Sequence, residues 1–243
     1  MDWQDQGFVL AARRHGESDA ILTVLTRDHG RHLGIVKGGS GRRQRAVVET
    51  GNAVSAHWRA RLSEHLGRFQ VELSAAHAAM CMADPARLAA LSAACATLDA
   101  ALPEREPHED IFDEFAALAE QLSGRAVEWP TQYNRWEARL LSSLGFGLDL
   151  SHCAVTGETE GLAFVSPKTG RAVTAEVGKL HKDRLLPLPA FLVRERERAS
   201  REDLIAGLRL TGYFLDRHVF AHAPRPGAAE ARARLVERLA AQK

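Results

Sequence analysis

Short apolar stretches with alternating or continuous hydrophobic positions dominate the first third of the chain. They occupy residues 7–14, 20–26, 32–37, 46–58 and 67–74, and turn-rich or charged segments separate them. Stretches of this length that are rich in β-branched residues and bounded by glycine and charged residues are typical of β-strands. The pattern therefore predicts five strands and no long helix in this region.

Five short strands in succession favour a small closed sheet over an open one. The five-stranded oligonucleotide-binding (OB) barrel is the leading candidate, and barrels of this type bind oligonucleotides on one face. We therefore predict an OB-fold domain that binds oligonucleotides over residues 1–80. The remaining residues, 81–243, are predicted to form an α-helical domain.

The period of the apolar residues changes from two to 3.6 at Asp84-Pro85, a typical helix start. Helices are predicted from this point to about Leu98, over 108–122 and over 131–144. A short helix is expected over 177–186. Another should open at Ser200, whose side chain and that of Asp203 form a variant of the capping box, and a last one should span 228–241.

Residues 148–173 interrupt the helical pattern with two similar pieces, Cys153–Gly157 and Ser166–Gly170. In a zinc ribbon the first and fourth positions of such pieces are cysteines that close a tetrahedron around the metal. Hydroxyl groups are poor zinc ligands at neutral pH. We predict a degenerate zinc-ribbon-like insert without metal, whose four ligand positions are occupied by Cys153, Thr156, Ser166 and Thr169.

The stretch Lys37–Arg45 combines four basic residues with three glycines and contains no acidic residue. Arginine side chains on a glycine-rich loop suit phosphate oxygens, which the guanidinium group can bind in pairs. A solubilising surface loop is the alternative interpretation. We expect Lys37-Gly38 to end a strand and Arg42, Arg43 and Arg45 to form a mobile loop.

The distribution of charge favours a polyanionic partner. The formal net charge is +1, but residues 1–71 carry 11 basic against 7 acidic residues, residues 72–150 carry 5 against 13, and residues 151–243 carry 16 against 11. A chain that is basic, then acidic, then basic separates its surfaces by charge, and the basic ends are candidates for nucleic-acid contact.

Other classes of protein are disfavoured. The three cysteines are widely spaced, the N-terminus lacks the pattern of a secretion signal, and no window of 18 apolar residues occurs, so we expect a cytoplasmic protein without membrane contact. A phosphate-binding Walker loop is absent, and no order of nucleophile, base and acid is compelling. We predict a protein that is not an enzyme and uses no cofactor.

Arg135 and Arg139 lie four residues apart on the predicted third helix, next to Leu140. Two arginines on one face beside apolar residues suit an acidic peptide that ends in an apolar side chain. The alternative is ion pairing with the acidic residues of the preceding helix.

Taken together, the chain resembles the RecO family of bacterial DNA repair and recombination mediators. The resemblance covers nearly the whole length and rests on short strings in a fixed order: Gly7-Phe8-Val9-Leu10, His15-Gly16-Glu17-Ser18-Asp19, Leu25-Thr26-Arg27-Asp28-His29-Gly30, Val36-Lys37-Gly38, Trp136-Glu137-Ala138-Arg139-Leu140-Leu141, Gly145-Phe146-Gly147-Leu148-Asp149-Leu150, and Cys153 with Gly157. Some members keep four cysteines in the insert, whereas this chain keeps one.

The resemblance implies binding of single- and double-stranded DNA, annealing of complementary strands without ATP, and help in loading RecA together with RecR. It also implies that the acidic tail of the single-stranded-DNA-binding protein (SSB) docks on the helical domain, for which Arg135, Arg139 and Leu140 are the candidates. The candidates for DNA contact are the basic residues of the barrel, namely Arg13, Arg14, Arg31, Lys37, Arg42, Arg43 and Arg45. A protein adaptor and an RNA-binding OB protein remain the alternatives.

Overall fold

The computed structural model describes residues 1–62, 65–194, 196–223 and 227–241. It divides into two compact units, Met1–Ala126 with Pro224–Leu235, and Val127–Ala223 with Val236–Lys243. The class is α+β, with an N-terminal five-stranded sheet followed by helices, as predicted. The predicted domain boundary at residues 80–81 stays a prediction.

The N-terminal sheet closes on itself as a barrel in the order β1-β2-β3-β5-β4. Its strands are β1 (Asp2–His15), β2 (Asp19–Thr26), β3 (Gly30–Val36), β4 (Ala53–Arg59) and β5 (Arg68–Ala75). The long β1 strand pairs with β4 through its first half and with β2 through its second half, with a register shift between Val9 and Ala11. This topology is consistent with the OB type.

Closure of the barrel depends on a short parallel pairing of Ile35 with Arg68. The indole N–H of the buried Trp58 donates to the carbonyls of Leu33 (3.1 Å) and Leu66 (3.3 Å), so one side chain joins β3 to the segment before β5. Gly67 lies against this indole with a φ of 69°, and a Cβ there would come within 2.3 Å of the Trp58 ring. Glycine is therefore required at the closure.

One predicted strand begins later than expected. We predicted a strand from residue 46, but residues Arg42–Arg45 form a single helical turn, α1, and β4 starts only at Ala53. The side-chain amide of Asn52 donates to the carbonyls of Ala46 (2.9 Å) and Val47 (3.4 Å), which holds this segment away from the sheet. The apolar side chain of Val48 packs on the barrel core although this residue lies outside the strand.

The helices of the first unit pack beside the barrel. They are α2 (His77–Cys81), α3 (Pro85–Ala101) and α4 (Glu109–Ser123). Asp84 caps α3 as predicted, because its carboxylate accepts from the main-chain N–H groups of Ala86 and Arg87. The guanidinium of Arg87 donates to the carbonyls of Gln121, Leu122, Gly124 and Ala126 and so satisfies groups at and beyond the end of α4.

The second unit contains α5 (Trp129–Ser143) and α7 (Arg201–His218), joined in the interior by a hydrogen bond of 2.5 Å from the Thr211 hydroxyl to the buried Glu137 carboxylate. The predicted capping box of Ser200 and Asp203 is present. A three-stranded sheet in the order β7-β6-β8 consists of β6 (Leu162–Val165), β7 (Ala172–Thr174) and β8 (Leu186–Pro187). The last helix, α8, spans Ala228–Ala241 as predicted.

The helix predicted over 177–186 is wrong. The segment instead contains α6 (Ala175–Gly178), a short 3-10 helix (Lys182–Arg184) and the start of β8. Leu180 is 88% exposed, so the segment has no buried apolar face that would hold a longer helix in place.

His32 makes the stability of the barrel depend on pH. Burial, aided by the positive charges of Arg105 and His29, lowers the pKa of its imidazole from 6.5 to about 4. Because the unfolded chain takes up a proton that the folded chain excludes, we expect the free energy of unfolding to fall by roughly 3 kcal/mol as the pH drops from about 6.5 to about 4.

Urea unfolding between pH 7.5 and pH 4 measures this dependence. His32→Phe should have a shallower pH dependence, with a remainder from His77, whose pKa burial also lowers. An equally steep decline in the His32→Phe variant would contradict the assignment.

Candidate nucleic-acid interface

The basic stretch is held against the turn between β1 and β2. The main-chain N–H of Gly38 donates to the carboxylate of Asp19 (2.9 Å), and the Ser40 hydroxyl donates to the Asp19 carbonyl (2.8 Å). The main-chain N–H of Ser40 donates to the Ser18 carbonyl (2.8 Å). The stretch that we predicted to be a mobile loop is therefore fixed by hydrogen bonds and by the α1 turn. Lys37, expected to end a strand, follows β3 as an exposed turn residue.

This attachment brings three of the predicted DNA contacts together. Arg13 and Arg14 from the end of β1 and Arg45 from α1 line one depression of about 450 Å³, together with Ser40. All three arginines are exposed. Arg14 donates to the Glu17 carbonyl at 3.1 Å, and Arg13 lies 4.0 Å from the Asp99 carboxylate. Multiple guanidinium groups around one depression suit a phosphate backbone.

Two acidic residues limit the positive charge of the depression. Glu17 and Glu49 also line it, and both are exposed. These two carboxylates would repel a phosphate group that entered the depression and so weaken the attraction of the arginines.

Arg31 occupies a different environment from the other predicted contacts. Its guanidinium donates to the Leu102 carbonyl (2.8 Å) and to the Asp99 carboxylate (3.0 Å), and it lies 3.8 Å from Glu104. Its side chain is 12% exposed. These contacts attach β3 to the end of α3, so the geometry gives Arg31 a structural role.

Of the remaining predicted contacts, Lys37 and Arg42 do not line this depression. Lys37 and Arg42 are exposed, and Arg42 lines an adjoining depression. The side chain of Arg43 lies outside the part of the chain that the structure describes.

The structure shows a second basic surface that we did not predict. Arg59, Arg61, His65 and Arg68 line a depression of about 750 Å³ beside the connection between β4 and β5. In OB barrels, this connection is one of the two that flank the ligand face. The sequence signal for this surface was the presence of three arginines within ten residues, Arg59, Arg61 and Arg68. We did not group them, because the first two follow the predicted strand 46–58 and the third lies in the predicted strand 67–74.

An acidic residue is also present at this second surface. Arg59 lies 2.9 Å from Asp2, which also contacts His57. The hydrogen bond from His57, with help from Arg59, lowers the pKa of the Asp2 carboxyl.

Aromatic side chains of the barrel are mostly unavailable for stacking on bases. Phe8, Trp58 and Phe69 are buried. Trp3 is half-buried, and the ring of His29 stacks on it at a centroid distance of 4.1 Å. A ligand on this surface therefore meets mainly charged and aliphatic groups.

The three predicted tail-binding residues of α5 separate into different environments. Arg135 donates to the carbonyls of Phe191 (3.0 Å) and Arg194 (3.3 Å), and so supports the segment after β8. Leu140 is 1% exposed, whereas Arg139 is exposed. Of the three side chains, that of Arg139 is the most exposed.

The positions of the predicted ribbon form two matching turns. The N–H of Gly157 donates to the Cys153 carbonyl (2.9 Å), and that of Gly170 donates to the Ser166 carbonyl (2.8 Å). Both glycines have positive φ, 79° and 69°. Thr156 and Thr169 are exposed, and Cys153 is buried.

The Cys153 thiol has an unusual environment for a buried cysteine. Burial opposes its ionisation, but hydrogen bonding at the turn residues Val155 and Thr156 and from the main-chain N–H of Thr174 (3.5 Å) outweighs it and lowers the pKa of the thiol to about 6. Among the residues described, no group of three or more His, Cys, Asp and Glu side chains could hold a metal. The absence of zinc stays a prediction.

No helix within the described ranges is both long and apolar enough to cross a membrane.

The fold and this surface define an α+β protein whose N-terminal barrel, consistent with the OB type, carries a basic depression on its exterior. Comparison with known protein families identifies the family to which the chain belongs. The family model described as Recombination protein O N terminal matches residues 1–76, and that described as Recombination protein O C terminal matches residues 82–225. The chain belongs to the RecO family of DNA repair proteins.

Individual members of the family are similar in sequence to this chain over nearly its whole length. The chain is 52% identical to the DNA repair protein RecO of Rhodospirillum centenum, with 98% of this chain and 94% of the relative covered. It is 49% identical to that of Rhodospirillum rubrum, with 98% and 96% covered. It is 48% identical to that of a Cereibacter sphaeroides strain, with 99% of both covered.

Arg31 and Arg45 should respond differently to substitution. We expect Arg31→Ala to lower the free energy of unfolding by about 2–4 kcal/mol, because Asp99 would be left without its closest cation in a partly buried site. Arg45→Ala, at an exposed position, should change it by less than about 0.5 kcal/mol. Urea denaturation measures both values, and equal effects of the two substitutions would refute the structural role of Arg31.

Proposed function

We propose that the protein is a non-catalytic recombination mediator that binds single- and double-stranded DNA in the cytoplasm and anneals complementary strands without ATP. With RecR, it helps to load RecA onto single-stranded DNA coated by SSB. The observation that carries the DNA-binding part is the depression shared by Arg13, Arg14 and Arg45. Membership of a DNA repair family supports it.

Annealing in this proposal requires binding and charge screening but no bond chemistry. Guanidinium groups neutralise phosphates and release counterions, which reduces the repulsion between two strands. The depression lined by Arg13, Arg14 and Arg45 shares no lining residue with the second basic depression beside the β4–β5 connection. Each can therefore hold the phosphates of a different strand.

The proposed contact with the SSB tail centres on Arg139. Its exposed guanidinium on α5 can pair with a terminal carboxylate. Arg135 acts indirectly in this proposal, because it holds the carbonyls of residues 191 and 194. Leu140 contributes to the packing beneath.

The segment 148–173 is proposed to be a degenerate zinc ribbon that binds no metal. Two turns with matching hydrogen bonds and positive-φ glycines support the ribbon shape. Three of the four ligand positions carry hydroxyl groups, which bind zinc poorly. Elemental analysis should find no zinc in the purified protein, and one equivalent per chain would overturn the proposal.

Substitution of the three arginines tests the DNA-binding surface. The variant Arg13→Ala, Arg14→Ala, Arg45→Ala should bind single-stranded DNA more weakly, and the slope of log affinity against log salt should become shallower by about 2. Each phosphate contact on a single strand contributes roughly 0.7 to that slope. Fluorescence anisotropy with a labelled oligonucleotide at several salt concentrations measures it.

A charge-matched control separates this surface from net charge. Arg125→Ala, Arg184→Ala, Arg209→Ala removes the same number of exposed cations elsewhere and should leave the salt slope close to that of the parent. If both triple variants lower the slope equally, the depression is not the binding site.

Glu49 provides the opposite change at the same site. Glu49→Gln removes a carboxylate from the depression and should raise DNA affinity roughly two- to five-fold at low salt, with the gain shrinking as salt screens it. Glu72→Gln, an exposed position on β5 outside the depression, is the matched control. An increase for both variants would point to net charge alone.

A further inference from the structure

An apolar depression adjoins the basic one on the same unit. It has a volume of about 660 Å³, and it shares Ser40, Arg45 and Glu49 with the basic depression. Arg42 joins Arg45 on its polar side. Besides Asn52, the rest of its lining, the Leu73–Met82 wall, consists of small and apolar side chains, namely Ala46, Leu73, Ala76, Ala78, Ala79 and Met82.

Two large apolar side chains of this wall are exposed to solvent. Leu73 is 44% exposed and Met82 is 66% exposed. Phe69 and Val71 of β5 point into the barrel core, and Leu73 continues this alternation at the end of the strand, where the core no longer covers it. These two side chains give a strand bound at the adjoining arginines an apolar surface to contact.

The barrel offers single strands few other surfaces for their bases. Proteins that bind single strands commonly stack bases on exposed aromatic rings. Among the described residues of the barrel, the Phe8, Trp58 and Phe69 rings are buried, and His29 covers a face of Trp3. The Leu73–Met82 wall is an exposed apolar surface that lies next to phosphate-binding groups.

We propose that unpaired bases of a single DNA strand lie against Leu73 and Met82 while the phosphates of the same strand lie on Arg42 and Arg45. This inference rests on the proposed DNA-binding function and adds a basis for preferring single strands. Bases in a duplex are stacked inside the helix and cannot reach the wall, whereas phosphates are available in both forms. The basic depression then binds either form, and the apolar one selects for unpaired bases.

The test compares two strands that have the same phosphates but differ in their bases. Leu73→Gln, Met82→Gln keeps the side-chain size and removes the apolar surface at two exposed positions. We expect the parent to bind an unstructured oligonucleotide about ten-fold more tightly than an abasic strand of equal length. The double variant should lose this preference, while its salt slope and its affinity for duplex DNA stay unchanged.

Met80→Gln is the matched control. Met80 lies on α2 and is 57% exposed, but it does not line the depression. This control should keep the parental preference for strands with bases. Circular dichroism and urea unfolding of all three proteins would show whether the double variant keeps its fold.

Different failures have different meanings. If the parent binds the unstructured oligonucleotide and the abasic strand with equal affinity, the wall does not contact bases. The same conclusion follows if the double variant keeps the preference for the strand with bases. If the double variant binds DNA normally but loses binding to an acidic peptide that ends in an apolar residue, the wall belongs to a protein partner and the inference is also overturned. If the parent shows no salt-dependent DNA binding at all, the proposed function itself fails.

Discussion

The proposed site depends on the hydrogen bonds between residues 18–19 and residues 38–40. Asp19 accepts from the Gly38 N–H through its carboxylate and from the Ser40 hydroxyl through its carbonyl. These contacts join the β1–β2 turn to the segment that leads into α1, so that Arg13, Arg14 and Arg45 line one depression. Without them, a glycine-rich connection would carry the same charges but would lose conformational freedom on binding DNA, which weakens affinity.

Barrel closure divides the arginines of the first unit into two kinds. Trp58 and Gly67 hold β3 close to the segment before β5, and the contacts of Arg31 with Leu102 and Asp99 attach the same β3 strand to α3. Arg31 is therefore part of the scaffold, whereas the exposed arginines at strand ends and in α1 remain available to a polyanion. The apolar wall at Leu73 arises at the point where β5 runs past the barrel core.

Much of the fold was predictable because alternation and capping are local signals. The strands, the Asp84 cap of α3 and the Ser200–Asp203 capping box all follow from residues a few positions apart. The start of β4 was predicted too early because Val47 and Val48 resemble strand residues. Val48 instead packs on the barrel core from a turn that the side chain of Asn52 stabilises. The role of Arg31 could not be predicted, because its partner Asp99 lies 68 residues further along the chain. The depressions, likewise, depend on which distant segments the barrel brings together.

The central claim is that this basic surface promotes the annealing of two complementary DNA strands and that no covalent bond is made or broken in the process. The most direct measurement is the rate at which two complementary, labelled oligonucleotides anneal with the purified protein in the absence of ATP, followed by fluorescence across a salt titration. The account predicts a clear acceleration over the strands alone that declines steeply as salt rises, because phosphate contacts carry the binding. An annealing rate equal to that of the free strands at low salt, or an acceleration that salt does not change, would contradict it.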